Sequence, residues 1–156
     1  MGPAVLDCLN RMGAILSRIY PDHPRVGVGA VVFLEARVLM VRRGAPPAQG
    51  VWAIPGGRLR LGETLQAAAE REILEETGIE IRAGAPVFTF DAIERDPDGR
   101  VRYHYVIVDL AAEYLRGTPI AGDDALEARW VAAAEMADLK VNPTTRHLLK
   151  SRFDFG

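Results

Sequence analysis

Residues 57–79 read GRLRLGETLQAAAEREILEETGI, and this stretch limits the fold more tightly than any other part of the chain. It reads as a helix held between glycines. Thr64 stands where an N-cap hydroxyl is favoured, and Glu63 adds negative charge at the helix start. Gly78 stands where a left-handed residue ends a helix. At about 100° per residue, Glu72, Glu75 and Glu76 share an arc of roughly 100°. Like charges that close repel, and repel more where water is excluded. A chain that keeps them together neutralises them with a cation. Carboxylate oxygens are hard ligands, so Mg²⁺, or Mn²⁺ in its place, is the natural guest. Gly56 or Gly57, lacking a side chain, lets a backbone carbonyl approach the same ion. Arg71 has the planar fork that orients a neighbouring carboxylate. A solvated face laced with ion pairs would carry the same charges without needing glycines at these places.

The rest of the chain alternates strands with few helices. Val26 to Phe33 and Arg37 to Val41 are β-branched runs, followed by a Pro/Gly loop from Gly44 to Gly50 and a short strand from Val51 to Ile54. Val87 to Ile93 and Val101 to Leu110 are strands joined by Asp96-Pro97-Asp98-Gly99, a strong turn signal, so they form a hairpin. Arg129 to Val131 reads as a further strand. Ala133 to Asp138 and Pro143 to Arg152 read as helices, the second started by Asn142. This order predicts an α+β fold. At the N-terminus, Val5, Cys8, Leu9, Met12, Ile15, Leu16 and Ile19 recur at helical spacing, with Pro21 and Pro24 as stops. Residues 1–25 are therefore expected to be a helical extension and residues 26–156 a single domain. The extension's apolar stripe needs cover, either from the domain itself or from a second copy in a homodimer.

Composition removes several classes of function. The net charge is −2, which argues against a protein that grips long nucleic acid by its phosphates. A single nucleotide is a different case, because metal and a few arginines can manage its phosphates. No run approaches the apolar length of a membrane span. Asp7 and Arg11 interrupt the N-terminal apolar stretch, so it reads poorly as a secretory signal. Cys8 is the only cysteine, so no internal disulfide can form, which fits a reducing cytoplasm. It sits in the apolar helical pattern and reads as a small core residue.

The segment from Gly57 to Ile79 resembles the Nudix box, G-x5-E-x7-R-E-U-x-E-E-x-G-U with U a bulky aliphatic residue. Gly57, Glu63, Arg71, Glu72, Ile73, Glu75, Glu76, Gly78 and Ile79 fill every defined position. The segments VGVGAVVF, RVLMVRRGAPPAQGVWAIPGG, IERDPDGRVRYHYVIVDL and GDDALEARWV look like the flanks of the family's ADP-ribose pyrophosphatase-like branch. The resemblance covers residues 26 to about 150. It implies a mixed sheet sandwiched between helices and a Mg²⁺-dependent, MutT-like hydrolase. It matches Glu72, Glu75 and Glu76 to metal ligands, Gly56 to a backbone carbonyl ligand, and Glu63 to a supporting carboxylate. The implied substrate is ADP-ribose, cleaved to AMP and ribose 5-phosphate. One position departs from that branch: many members carry a proline a short way past the box, where this chain has Glu94, with Pro86 before it and Pro97 after it. A nucleoside triphosphate pyrophosphohydrolase, including one that clears oxidised nucleotides, would use the same metal site. A non-catalytic nucleotide-sensing module on the same fold commonly loses box glutamates, and the full set here disfavours it.

Relatives often carry one more acidic residue before a strand bearing tryptophan, as metal ligand or general base. GDDALEARW offers Asp123, Asp124 and Glu127, with Asp124 favoured by its offset from Trp130 and Glu127 next. Arg42 and Arg43 end a strand before the loop leading to the box, and either can hold a phosphate. Trp52, Phe88, Phe90, Tyr103 and Tyr105 can stack on a base, although strand aromatics usually belong to the core. His104 lies out of phase with its tyrosine neighbours and has no second histidine at ligand spacing.

Overall fold

The computed structural model describes residues 19–156 apart from positions 47 and 123. Ten elements follow one another: β1 (Arg25–Leu34), β2 (Arg37–Arg43), β3 (Trp52–Ala53), β4 (Gly56–Arg58), α1 (Leu65–Thr77), β5 (Glu80–Arg95), β6 (Val101–Arg116), β7 (Ala125–Ala132), a short 3-10 helix (Ala133–Ala137) and α2 (Pro143–Phe153). The helix expected from Ala4 to Ile19 lies, apart from its last residue, outside the described residues, as do Cys8 and Asp123.

All seven strands join one mixed sheet, with the order β3-β2-β1-β6-β5. Strand β1 runs parallel to β6, while the hairpin β5–β6 is antiparallel. The edge of β1 is shared. β2 takes only its end, at Phe33 and Leu34, and β4 takes Gly27, Val28 and Gly29. β2 then turns away to pair with β3 and β7. The sheet therefore splays open beside β4, where the box begins.

Alternation along β1 sends its side chains to two cores. Val28, Ala30 and Val32 meet Ala68, Ala69 and Ile73 of α1, whose small residues allow close approach to the sheet. Val31 faces the other way and joins Trp52, Val141, Leu148 and Leu149, the last two from α2. A sheet buried between helices on opposite faces is the α+β sandwich expected from the sequence.

The caps of α1 are those its sequence specifies. Thr64 Oγ1 accepts from Ala67 N at 3.0 Å. Gly78 adopts φ 71°, and its N–H donates to Leu74 O at 2.9 Å. Asn142 caps α2 through Thr144 N and Thr145 N. Five elements differ from the expected ones, among them β6, which runs on to Arg116 past the expected end at Leu110. β4 was not expected as a strand, because its Gly-Gly-Arg sequence carries no strand signal. β5 begins at Glu80, well before Val87. Gly84 and Pro86 fall in bulges where the register with β6 shifts, so alternation is broken there. β7 begins at Ala125 by pairing with β2. The segment after it makes one short 3-10 turn in place of an α-helix.

Candidate active site

The box carboxylates stand where α1 meets β4. Gly56 N donates to Glu76 Oε2 at 2.9 Å. Gly57 packs directly under the Glu72 carboxyl, so a Cβ there would fall among the atoms Cδ, Oε1 and Oε2. Gly56 is equally constrained, because a Cβ would strike Val28 O and the backbone of Gly29. These two glycines are thus required by close approach. They bring main chain and carboxylates together.

Arg71 organises the other side. Its Nε donates to Glu63 Oε1 at 2.5 Å and its second terminal nitrogen to Glu63 Oε2 at 2.9 Å, a bidentate fork. The remaining nitrogen reaches Glu72 Oε1 at 2.7 Å and Glu75 Oε2 at 3.3 Å. Arg58 O accepts a further bond at 2.9 Å, which ties the guanidinium to β4. Glu63 also accepts from Arg60 N at 2.8 Å. The Arg71 contact, helped by that backbone N–H, holds the Glu63 carboxyl down to about 2. Glu63 and Glu72 in turn raise Arg71 above the ordinary arginine value, so it stays charged. A carboxylate held this acidic is a poor proton acceptor. Glu63 is therefore an anchor for Arg71. Glu70 points elsewhere and accepts from Ala83 N at 3.0 Å, fastening α1 to β5.

The donor set suits a hard divalent cation: Glu72, Glu75 and Glu76, with a glycine carbonyl that no side chain shields. Among the described residues no three acidic, histidine or cysteine side chains already converge at metal distance. Glu72 and Glu75 are turned toward Arg71 and Glu76 toward Gly56 N. The residues fit a metal by chemistry and by the glycine cradle.

The loop before β7 is stitched to this site by its backbone. Gly122 N donates to Glu76 O and Ile120 N to Thr77 O, which satisfies carbonyls at the end of α1. Gly44 N donates to Asp124 O at 2.6 Å. Asp124 itself has an exposed side chain. Glu127 lies opposite Arg42 in the β2–β7 register, with Oε2 2.7 Å from Arg42 Nε. That nitrogen makes no aligned hydrogen bond, so the contact is an ion pair. Arg43 is exposed. The structure thus brings Arg42 and Glu127 together, while Asp124 is held to Gly44 through its carbonyl.

The aromatic candidates divide. Trp52 is 5% exposed and sits in the core, with the Arg129 guanidinium 4.9 Å from its ring centre. Phe90 is half-buried on β5, 5.7 Å from the Phe88 ring. Tyr105 is half-buried on β6, opposite Ala92. Both are better placed than Trp52 to meet a ligand.

One residue escaped the sequence reading. Asp109, in the middle of β6, is only 4% exposed. Burial alone raises its carboxyl to about 6. Its signal was an acid inside the apolar run VIVDLAA, in phase with Tyr103, Tyr105 and Ile107.

Comparison with known proteins now settles the class. Residues 23–151 match the NUDIX domain. The chain belongs to the NUDIX domain family. The ADP-ribose pyrophosphatase of Methanocaldococcus jannaschii is 35% identical over 108 residues, which is 69% of this chain and 62% of that protein. The 8-oxo-dGDP phosphatase NUDT18 of Danio rerio is 33% identical over 104 residues, 66% of this chain and 30% of that protein. The match thus spans less than two thirds of either relative. Among solved structures, the MutT NUDIX hydrolase from Burkholderia pseudomallei aligns with a TM-score of 0.71 at 30% identity, covering 83% of this chain and 98% of the other.

Proposed function

We propose that the protein is a Mg²⁺-dependent hydrolase that cleaves the diphosphate of a nucleoside diphosphate derivative, with ADP-ribose as substrate and AMP and ribose 5-phosphate as products. The observation that carries the reaction class is the meeting of Glu72 and Glu76 with the bare backbone of Gly57 and Gly56. The substrate is supported by the likeness to a relative named ADP-ribose pyrophosphatase.

Glu72, Glu75, Glu76 and the Gly56 carbonyl would hold the metal, with Mn²⁺ as a substitute. When bound, the ion supplies charge neutralisation at the diphosphate and a more acidic attacking water. Arg71 keeps Glu72 and Glu75 oriented, and Glu63 keeps Arg71 in place. Water oxygen forms the new bond to phosphorus, and the bridging P–O bond breaks. A carboxylate outside the box takes the water's proton, because ligated glutamates are poor bases. Asp124 fits this role better than Glu127, whose carboxylate is already paired with Arg42. Arg43 is available to a substrate phosphate.

A second reading, hydrolysis of oxidised guanine nucleotides, is favoured by the likeness to the 8-oxo-dGDP phosphatase. We place the reaction in the cytoplasm, on a free nucleotide. No described helix is long and apolar enough to cross a membrane. The test is a substrate panel with product identification: ADP-ribose, nucleotide sugars, dinucleoside polyphosphates, and canonical and oxidised triphosphates. AMP with ribose 5-phosphate as the fastest products supports the first reading. A monophosphate with pyrophosphate or phosphate supports the second. No Mg²⁺-dependent turnover of any member contradicts both.

A further inference from the structure

Arg71 lies at the centre of the box, and all its nitrogens are already committed. They donate to Glu63, Glu72, Glu75 and Arg58 O, and the side chain is only 18% exposed. Arg60, in the loop between β4 and α1, is built the other way. Its main chain is fixed: Arg60 N donates to Glu63 Oε2 at 2.8 Å, and Glu63 N donates to Arg60 O at 3.1 Å. Gly62, at φ 86°, closes that turn in the left-handed region that suits glycine. The side chain is 63% exposed and reaches back over the carboxylates, with its Nη2 3.9 Å from Glu75 Oε1. That separation is too long for a hydrogen bond. Among the described residues nothing accepts a hydrogen bond from the Arg60 guanidinium. A cation is therefore held at the mouth of the cluster with its donors unused.

The balance of charge gives that cation a task. Arg71 and Glu63 cancel. Glu72, Glu75 and Glu76 then outnumber a single divalent ion by one charge, so the loaded site still turns a negative face to an incoming diphosphate. Like charges that close repel strongly where water is excluded. We propose that Arg60 clamps the diphosphate of the substrate, its guanidinium turning from Glu75 to the phosphate oxygens. The planar fork matches two such oxygens at once, and the carboxylate it leaves is one that the metal would claim. A phosphate that shares a cation with Glu75 comes within reach of Arg60 with no movement of its main chain. The proposal rests on the substrate being a diphosphate derivative and adds a residue for the linkage itself. The contact is with the phosphates and not the nucleoside, so it holds for ADP-ribose and for an oxidised guanine nucleotide alike.

Methylene bisphosphonate, whose bridging carbon cannot be hydrolysed, tests this without any turnover. It is titrated by calorimetry in the presence of Mg²⁺. The wild type should bind it, and Arg60→Ala should weaken binding about tenfold or more, the scale of a hydrogen bond between charged groups. Arg60→Lys should recover part of the loss, because the charge remains and the fork does not. Arg82→Ala removes an equal charge from an exposed ion pair with Glu113 and should leave the affinity within about twofold, since salt screens distant charges. Arg60 is exposed, so the melting temperature of the ligand-free variants should match the wild type. In turnover the loss should fall on KM more than on kcat. No binding by the wild type, equal affinity in Arg60→Ala, or an equal loss in Arg82→Ala would overturn the proposal. So would a loss of affinity matched by a fall in melting temperature, which would make Arg60 structural. If the bisphosphonate shows the predicted dependence and no nucleotide is hydrolysed, the functional reading falls and the clamp stands. If Arg60→Ala hydrolyses ADP-ribose with an unchanged KM, the clamp falls and the functional reading stands.

Discussion

Glu63 on the box side and Asp109 within the sheet are two carboxylates that the protein treats in opposite ways. Glu63 is gripped by both arms of Arg71 and by a backbone N–H, and its carboxyl is held down to about 2. Asp109 is pressed between strands with only burial acting on it, and its carboxyl rises to about 6. The first is a finished structural device. The second is a buried acid whose proton is held by desolvation. The difference teaches that the number of acids near a site says little about their roles, and that the partners each acid already has say more.

The comparison is broken most severely by emptying the ligand set. Glu76→Gln or Glu75→Gln should lower kcat by about a hundredfold or more, a few kcal/mol of lost charge stabilisation. Stability without metal should hold or rise, because one like charge has gone. Near-native turnover in both variants would remove these residues from the metal site.

Next comes the Arg71 grip. Arg71→Ala should reduce activity strongly and lower the melting temperature, since Glu63, Glu72 and Arg58 O all lose a donor. Arg71→Lys should rescue little, because an ammonium cannot fork. A lysine variant with native activity would show that charge alone suffices.

The pH dependence of stability sharpens the contrast. A carboxyl depressed in the folded state stabilises above its unfolded value, and that stability is lost as pH falls from about 4.5 toward 2. The gap between wild type and Glu63→Gln should close across that window. Asp109 has the opposite sign. Its folded form prefers the proton, so its charge destabilises as pH rises through the interval from 3.8 to about 6. Asp109→Asn should thus gain on the wild type above that interval and lose the gain below it. Denaturant melts across pH would check both, and parallel curves for the two variants would contradict the contrast.

The smallest effects belong to the loop before β7 and the start of that strand. Asp124→Asn should depress kcat by more than about tenfold with little change in KM, if it is the base. Glu127→Gln removes an exposed ion pair with Arg42 and should change stability by about 0–1 kcal/mol. If neither variant lowers kcat, this segment is structural and a box glutamate, Glu63 or Glu72, serves as the base.

Glu63 was legible in the sequence and Asp109 was not, for a physical reason. Helical periodicity, caps and glycine positions are local rules, so α1 and its carboxylate face could be read from consecutive residues. The expected helix ends at Thr64 and Gly78 match the observed caps. Asp109 depends on what crosses the sheet beside it, and no local rule shows that Gly29 and Ile54 cover it. The same limit hid β4, whose strand character comes only from pairing with β1. It also misjudged the start of β5, where bulges hide the alternation. Trp52 offered an aromatic surface in sequence and proved to be core, because β3 is sandwiched against β2 and Val141.

The central claim is that the box carboxylates serve a metal-dependent attack of water on a diphosphate phosphorus. Hydrolysis of ADP-ribose in heavy-oxygen water, with and without Mg²⁺, tests it most directly. The account predicts label on the phosphate of AMP or of ribose 5-phosphate, and no products after exhaustive chelation. Label in a ribose hydroxyl, or undiminished turnover after chelation, would contradict it.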